Sequence, residues 1–307
     1  MAIVNSVLGP LETSELGFTL MHEHIIVGSA AFYRDYPDFF GPNLMDDVVK
    51  ILIKAKAGGV NSIVDATTLD LGREIHLIEE VSRRTGVNII ACSGWWRDIP
   101  RYFVHFSVDQ LSAAFIKEIE QGIADTNIKA GILKAASDIE GIKPDEENVL
   151  RAVARAHLKT GAPLMLHSYS PAQIGRQQLA ILKEEGVNLN RVKIDHANDT
   201  TDVEYLMWLL DQGCFLGMDR YHKPVGYTST LARTKTLKVL IDAGYAERLC
   251  PSHDQIIRPL DPRFPLNPNG FLYLKEVVFP LLWEMGISEK ITDRLCVDGP
   301  RNFFEAS

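Results

Sequence analysis

A chain of 307 residues, 46% hydrophobic and 23% charged, has a globular composition; its length suits one α/β barrel of about 250 residues or two average domains. Its formal charge of −8 comes without a basic stripe, which argues against nucleic acid as a partner. No apolar run reaches the roughly 18 residues of a membrane span, no signal peptide is read before Arg34, and the cysteines (Cys92, Cys214, Cys250, Cys296) form no CxxC, so a cytoplasmic protein with reduced thiols and no membrane partner is expected.

Along the chain, short apolar, β-branched runs alternate with amphipathic stretches of ten or more residues. Strands are predicted over 18–24, 62–67, 88–93, 130–136, 163–168, 192–197, 214–219 and 248–253. Helices are predicted over 45–57, 75–85, 109–121, 147–160, 173–185, 201–212 and 228–243, several of them stopped by glycine, as at Gly58, Gly86, Gly161, Gly186 and Gly244. No Pro-, Gly- or Ser-rich linker divides the chain. The expected fold is α/β, a (β/α)8 TIM barrel forming a single domain over 1–307. A doubly wound sheet is the other reading; it usually carries a glycine-rich phosphate turn after its first strand, and here that position reads His22-Glu23-His24.

In such a barrel chemistry gathers where strands end. Nearly every predicted strand ends on a polar or ionisable group: His22 and His24, Asp65, Lys134, His167, His196, Asp219 with Arg220, and Asp254. Residues two apart in a strand share a face, so His22 and His24 project together, a natural half of a metal site. Burying each of these groups separately is costly, and gathering them around cations removes the cost. The segment also lacks rival signatures: there is no GxSxG, Walker loop, GxGxxG or HExxH.

The set resembles the phosphotriesterase family of the amidohydrolase superfamily. The family pattern is HxH on strand one, Lys on strand four, His on strands five and six, and Asp on strand eight. His22, His24, Lys134, His167, His196 and Asp254 stand in that order. The similarity includes Leu71-Gly72-Arg73, Gly217-Met218-Asp219-Arg220-Tyr221, Ser252-His253-Asp254 and Gly299-Pro300-Arg301-Asn302-Phe303-Phe304, and spans almost the whole chain. It implies two divalent metal ions, zinc first, with cobalt, manganese or iron also suited to these donors. His22, His24 and Asp254 would hold the more buried ion, and His167 and His196 the more exposed one. Lys134 is expected as N6-carboxylysine: an ammonium cannot bind a cation, whereas a neutral amine takes up carbon dioxide to give a bridging carbamate. The plainer reading of Lys134 is a snorkelling or helix-facing lysine. A hydroxide between the metals would be the nucleophile, with Asp254 taking its proton.

Asp219-Arg220-Tyr221 resembles the lactonase-like branch of the family. Trp96 and Asn267-Pro268-Asn269-Gly270 resemble its organophosphate branch. The expected activity is opening of acyl homoserine or other γ/δ-lactones, with promiscuous phosphotriesterase activity; the alternatives are a dedicated organophosphate triesterase or aryl esterase and, more remotely, a non-catalytic metal-binding barrel. Substrate contacts are expected from Arg220, which would bind the carbonyl or phosphoryl oxygen, from Tyr221, and from Trp95 or Trp96, with His222 weaker. Asp65 and Asp195 would orient histidines or cap helices, and His253 would face the helices. Residues 255–273 read as an irregular lid. A homodimer is implied by the resemblance, with Phe32, Tyr33, Tyr36, Phe39 and Phe40 either at its interface or roofing the barrel mouth.

Overall fold

The computed structural model describes residues 2–221, 228–259 and 270–306. It opens with an antiparallel hairpin, β1 (Ile3–Ser6) and β2 (Gly9–Glu12). Strand β3 (Thr19–Val27) leads to a short helix α1 (Phe32–Asp35) and to α2 (Leu44–Ala57). Then strands and helices alternate: β4 (Ser62–Asp65), α3 (Ile75–Thr85), β5 (Asn88–Gly94), α4 (Val108–Glu120), β6 (Ile132–Ser137), α5 (Pro144–Thr160), β7 (Leu164–Ser168) and α6 (Ile174–Glu184). They continue with β8 (Val192–Ile194), α7 (Val203–Asp211), β9 (Phe215–Met218), α8 (Thr230–Asp242), β10 (Leu249–Pro251) and β11 (Ile256–Pro259), and the chain finishes with α9 (Phe279–Glu284) and α10 (Glu289–Glu305).

The nine strands from β3 onward pair in the order β10-β9-β8-β7-β6-β5-β4-β3-β11, every neighbour parallel. The two ends of that list, β10 and β11, are halves of one run of chain. The first half pairs with β9 and the second with β3, so the sheet closes into an eight-stranded barrel. Residues 252–255 cross the seam: Ser252 N donates to Met218 O (3.2 Å), Asp254 N to His22 O (3.0 Å), and His24 N to Gln255 O (2.8 Å).

The two faces of the strands bury different things. Outward residues such as Leu133, Leu164, Leu166, Val192 and Ile194 join a core with helix residues such as Leu52, Val81, Phe115, Val153, Leu182 and Leu209. Both sides of a barrel sheet being covered, its strands are apolar with little alternation. A smaller cluster gathers Met21, Val64, Ile90, Cys92, Ile132, Met165 and Cys250 with Val4, Leu16, Phe303 and Phe304. Two residues further along the same strand faces stand ionisable groups: Lys134 after Ile132, His167 after Met165. An apolar floor thus lies under a polar ceiling.

Differences from the sequence reading have local causes. The predicted strand 192–197 stops at Ile194 because His196 adopts φ 59. The expected irregular lid begins as strand β11, and Gly270–Leu272 is a 3-10 turn; residues 260–269, with Asn267, Pro268 and Asn269, lie outside the described residues, as does His222. Helix α10, which was not among the predicted helices, carries Pro300 inside it; its neighbour Gly299 packs against β10, where a Cβ would stand 2.9 Å from Leu249 O. Among the described residues no helix is long and apolar enough to cross a membrane.

Candidate metal centre

His22 and His24 share the inner face of β3 and are almost fully buried. His22 turns Nδ1 toward two carboxylates, Asp219 Oδ2 at 3.0 Å and Asp195 Oδ2 at 3.2 Å. His24 turns Nδ1 to Thr67 Oγ1 at 2.9 Å. Thr67 gives its one hydroxyl hydrogen to Asp65 Oδ1 (2.6 Å), so its oxygen accepts from the imidazole. With both Nδ1 atoms protonated, both Nε2 atoms carry lone pairs. These face Asp254 Oδ1, 3.3 Å from His24 Nε2 and 3.7 Å from His22 Nε2. One donor atom from each of the three side chains falls within 4.8 Å of the others.

The second pair is built likewise. His196 Nδ1 lies 2.9 Å from Asp219 Oδ1, and His167 Nε2 lies 3.4 Å from Asp138 Oδ2. Their other nitrogens, His196 Nε2 and His167 Nδ1, stand 2.8 Å apart. Two acceptors face each other there while their protonated sides hold carboxylates, an arrangement that suits a cation. His22, His196 and Asp219 form another group within 4.8 Å, but Asp219 meets the Nδ1 of each ring, so it orients the imidazoles rather than joining their Nε2 donors.

Lys134, at the inner face of β6, is 1% exposed. Its Nζ donates to Ala66 O (2.9 Å) and lies 3.3 Å from His22 Nε2. It is neither snorkelling nor facing a helix. The six residues of the sequence pattern are thus brought together, with four nitrogens and one carboxylate open to cations and Lys134 against one of them. This N/O set is one that zinc accepts.

Burial dominates the titration of these groups. It lowers His24 to about 3 and His167 to about 4, and with the nearby Arg220 charge it holds His196 well below 6.5. His22 is the exception: burial and Lys134 pull it down, yet Asp195 and Asp219 together leave it raised. Burial also lifts Asp65 to about 6.

Asp254 has φ 52 and His196 φ 59, left-handed values that non-glycine residues rarely take. Asp254 is held on both sides by Glu23, which strand alternation turns away from the two histidines. The buried Glu23 carboxylate accepts from Ser252 Oγ (2.7 Å), His253 N (3.0 Å), His253 Nδ1 (2.8 Å) and Gln255 N (2.7 Å). His253 faces away from the candidate ligands, and its Nε2 accepts from Leu274 N (3.1 Å).

Of the expected substrate contacts, Trp96 and Arg220 reach the site. Trp96 Nε1 is 3.4 Å from His167 Nδ1, and its loop is pinned by Asp70, which accepts from Trp96 N (3.1 Å) and Asp98 N (3.3 Å). Arg220 sets Nε 3.3 Å from Asp254 Oδ2 and donates through Nη1 to Asp199 (2.8 Å). Trp95 and Tyr221 correct the expectation. Trp95 is buried, packs on Phe103 and donates to Asp98 O, while Tyr221 is withdrawn into the outer core. Of the aromatics after β3, Tyr36 and Phe39 are exposed and Phe40 is buried. The sequence reading named Asp219 as a strand-end residue without a partner and gave Thr67, Asp138 and Glu23 no part; the place of Asp219 at the end of an apolar run was the signal that pointed to it.

Residues 2–304 match the Phosphotriesterase family. A "Phosphotriesterase homology protein" of Mycobacterium tuberculosis is 37% identical over 321 residues, covering 99% of this chain and 98% of its own. An "Aryldialkylphosphatase" of Saccharolobus solfataricus is 34% identical over 304 residues, covering 96% of each. The solved structure of the phosphotriesterase from Mycobacterium tuberculosis superposes with a TM-score of 0.92 at 36% identity, covering 99% of this chain and 98% of that one. With the match running from the first hairpin to the last helix and taking in every strand that supplies the histidines, the chain belongs to the phosphotriesterase family.

Proposed function

We propose that the protein is a hydrolase using two divalent cations, opening lactones as its main reaction and cleaving organophosphate triesters as a side reaction. The observation that supports this most is the pair of donor sets, His22, His24 and Asp254 on one side and His167 and His196 on the other, with Lys134 buried against His22. Bound there, two cations would polarise a carbonyl or phosphoryl oxygen and acidify the attacking water. Lys134, as the neutral amine, would take up carbon dioxide on Nζ and release one proton, so that a carbamate anion would stand beside His22. Asp254 would accept the proton of the attacking water and release it outward past Oδ2, where Arg220 lies 3.3 Å away. Arg220, aligned by Asp199, would steer the substrate oxygen. Trp96 would wall the apolar part of the substrate beside His167.

Arg220 beside Asp254 supports the lactone reading. Trp96 on His167, together with the name of the Saccharolobus relative, keeps aryl dialkyl phosphates as the second reading. The test is hydrolysis of an acyl homoserine lactone, a simple δ-lactone and an aryl diethyl phosphate by zinc-loaded protein. The highest kcat/KM is expected on a lactone, with Lys134→Ala slowed at least roughly a hundredfold on every substrate. Near-normal turnover by Lys134→Ala, or no turnover of any substrate by the wild type, overturns the reading.

A further inference from the structure

Beneath the candidate ligands one inward residue breaks the apolar floor. Lys193 lies in β8 beside Met165 of β7 and Phe215 of β9, in the layer that elsewhere holds Ile90, Ile132 and Cys250. It is 0% exposed. A buried ammonium needs a partner, and Lys193 Nζ donates to Asp195 Oδ1, two residues on along the same face. The other oxygen of Asp195 is aimed at His22 Nδ1, 3.2 Å away, next to Asp219 Oδ2 at 3.0 Å. A single N–H cannot serve both well, and Asp195 Oδ2 has no hydrogen bond of its own.

A separate feature shows that room was made for this second carboxylate. Gly217 in β9 has no left-handed backbone to explain it, yet a Cβ there would stand 2.5 Å from Asp195 Oδ1 and 2.5 Å from Asp219 Oδ2. Space, not conformation, demands glycine at this position.

We infer that Lys193 and Asp195 are positioning residues for His22: Lys193 orients the Asp195 carboxylate from inside the barrel, and Asp195 adds a second anion behind the imidazole that holds the more buried cation. Carboxylates behind a ligating imidazole fix its ring and strengthen it as a donor. Lys193 acts only through Asp195, because the carboxylate lies between it and the ring. The inference rests on the two-cation reading above.

The test titrates zinc against a competing chelator in wild type, Asp195→Asn, Lys193→Met and the double variant, with melting temperatures of the zinc-free proteins alongside. The wild type is expected to take two zinc ions per chain. Asp195→Asn and Lys193→Met should each weaken one of the two by roughly ten- to a hundredfold and leave the other. The double variant should be no weaker than Asp195→Asn alone. Lower melting temperatures with unchanged zinc affinity would overturn the inference, because an ion pair that only supports the barrel gives that result. Tighter zinc binding by Lys193→Met would also overturn it, since the ammonium would then merely repel the cation. If a single variant does not fold, the charge-neutral double variant decides: one weakened site supports the inference and two unchanged sites contradict it. A wild type that takes no zinc removes the two-cation reading itself, a result distinct from two intact sites in every variant.

Discussion

Four imidazoles carry the candidate site, and their titration is the residue-scale handle on it. In an unfolded chain each binds a proton near 6.5. In the metal-free fold, burial keeps His24 and His167 unprotonated down to about 3 and about 4, and His196 is also held low. Between about pH 4 and 6.5 the unfolded state therefore binds more protons at these three positions, and stability falls as pH drops. Asp65, raised to about 6 by burial, works in the opposite direction over part of this window. The raised His22 sheds stability only above 6.5. Asp70, Glu146 and Asp199, also raised by burial, oppose the fall at low pH too, and the lowered His157 adds to it; the large shifts of the three histidines set the sign. The urea midpoint of zinc-free protein is expected to be lower at pH 5 than at pH 7; an equal or higher midpoint at pH 5 contradicts these burial effects.

The barrel seam is the element on which the site turns. Sequence alternation places His22 and His24 on one face of β3 and Glu23 on the other, and the structure agrees. The same rule fails at strand ends. Asp195 and His196 are neighbours and should point apart, yet both reach the site, because His196 takes φ 59. At the end of β10 Asp254 takes φ 52. A left-handed residue leaves no mark in hydrophobic periodicity, which is why His196 and Asp254 were legible as strand-end polar groups and through the family pattern but not in their backbone turn, and Thr67, Asp138 and Glu23 not at all. Long-range partners, 229 residues apart for Glu23 and Ser252, have no local signature. Glu23→Gln replaces one acceptor oxygen with a donor facing Gln255 N. The cost is expected to be about 3 kcal/mol, from hydrogen bonds to a charged acceptor lost in a buried place. Urea unfolding measures it; a loss below about 0.5 kcal/mol would mean that Glu23 does not hold the seam.

Across the whole molecule, the eight strand runs and the helices between them were readable because short, continuous apolar runs alternate with amphipathic stretches. The opening hairpin was not read, being short and without an Asn-Gly turn, and the last helix was not among the predicted ones. What the closed barrel adds is convergence: β3, β6, β7, the end of β8 and the seam after β10 deliver their polar residues to one mouth above an apolar floor. The most direct measurement is anomalous diffraction from crystals of the zinc-loaded protein. Two peaks about 3.5–4 Å apart are predicted, one among His22, His24 and Asp254 and the other between His167 and His196. A lone peak, or zinc bound away from these side chains, would contradict the account.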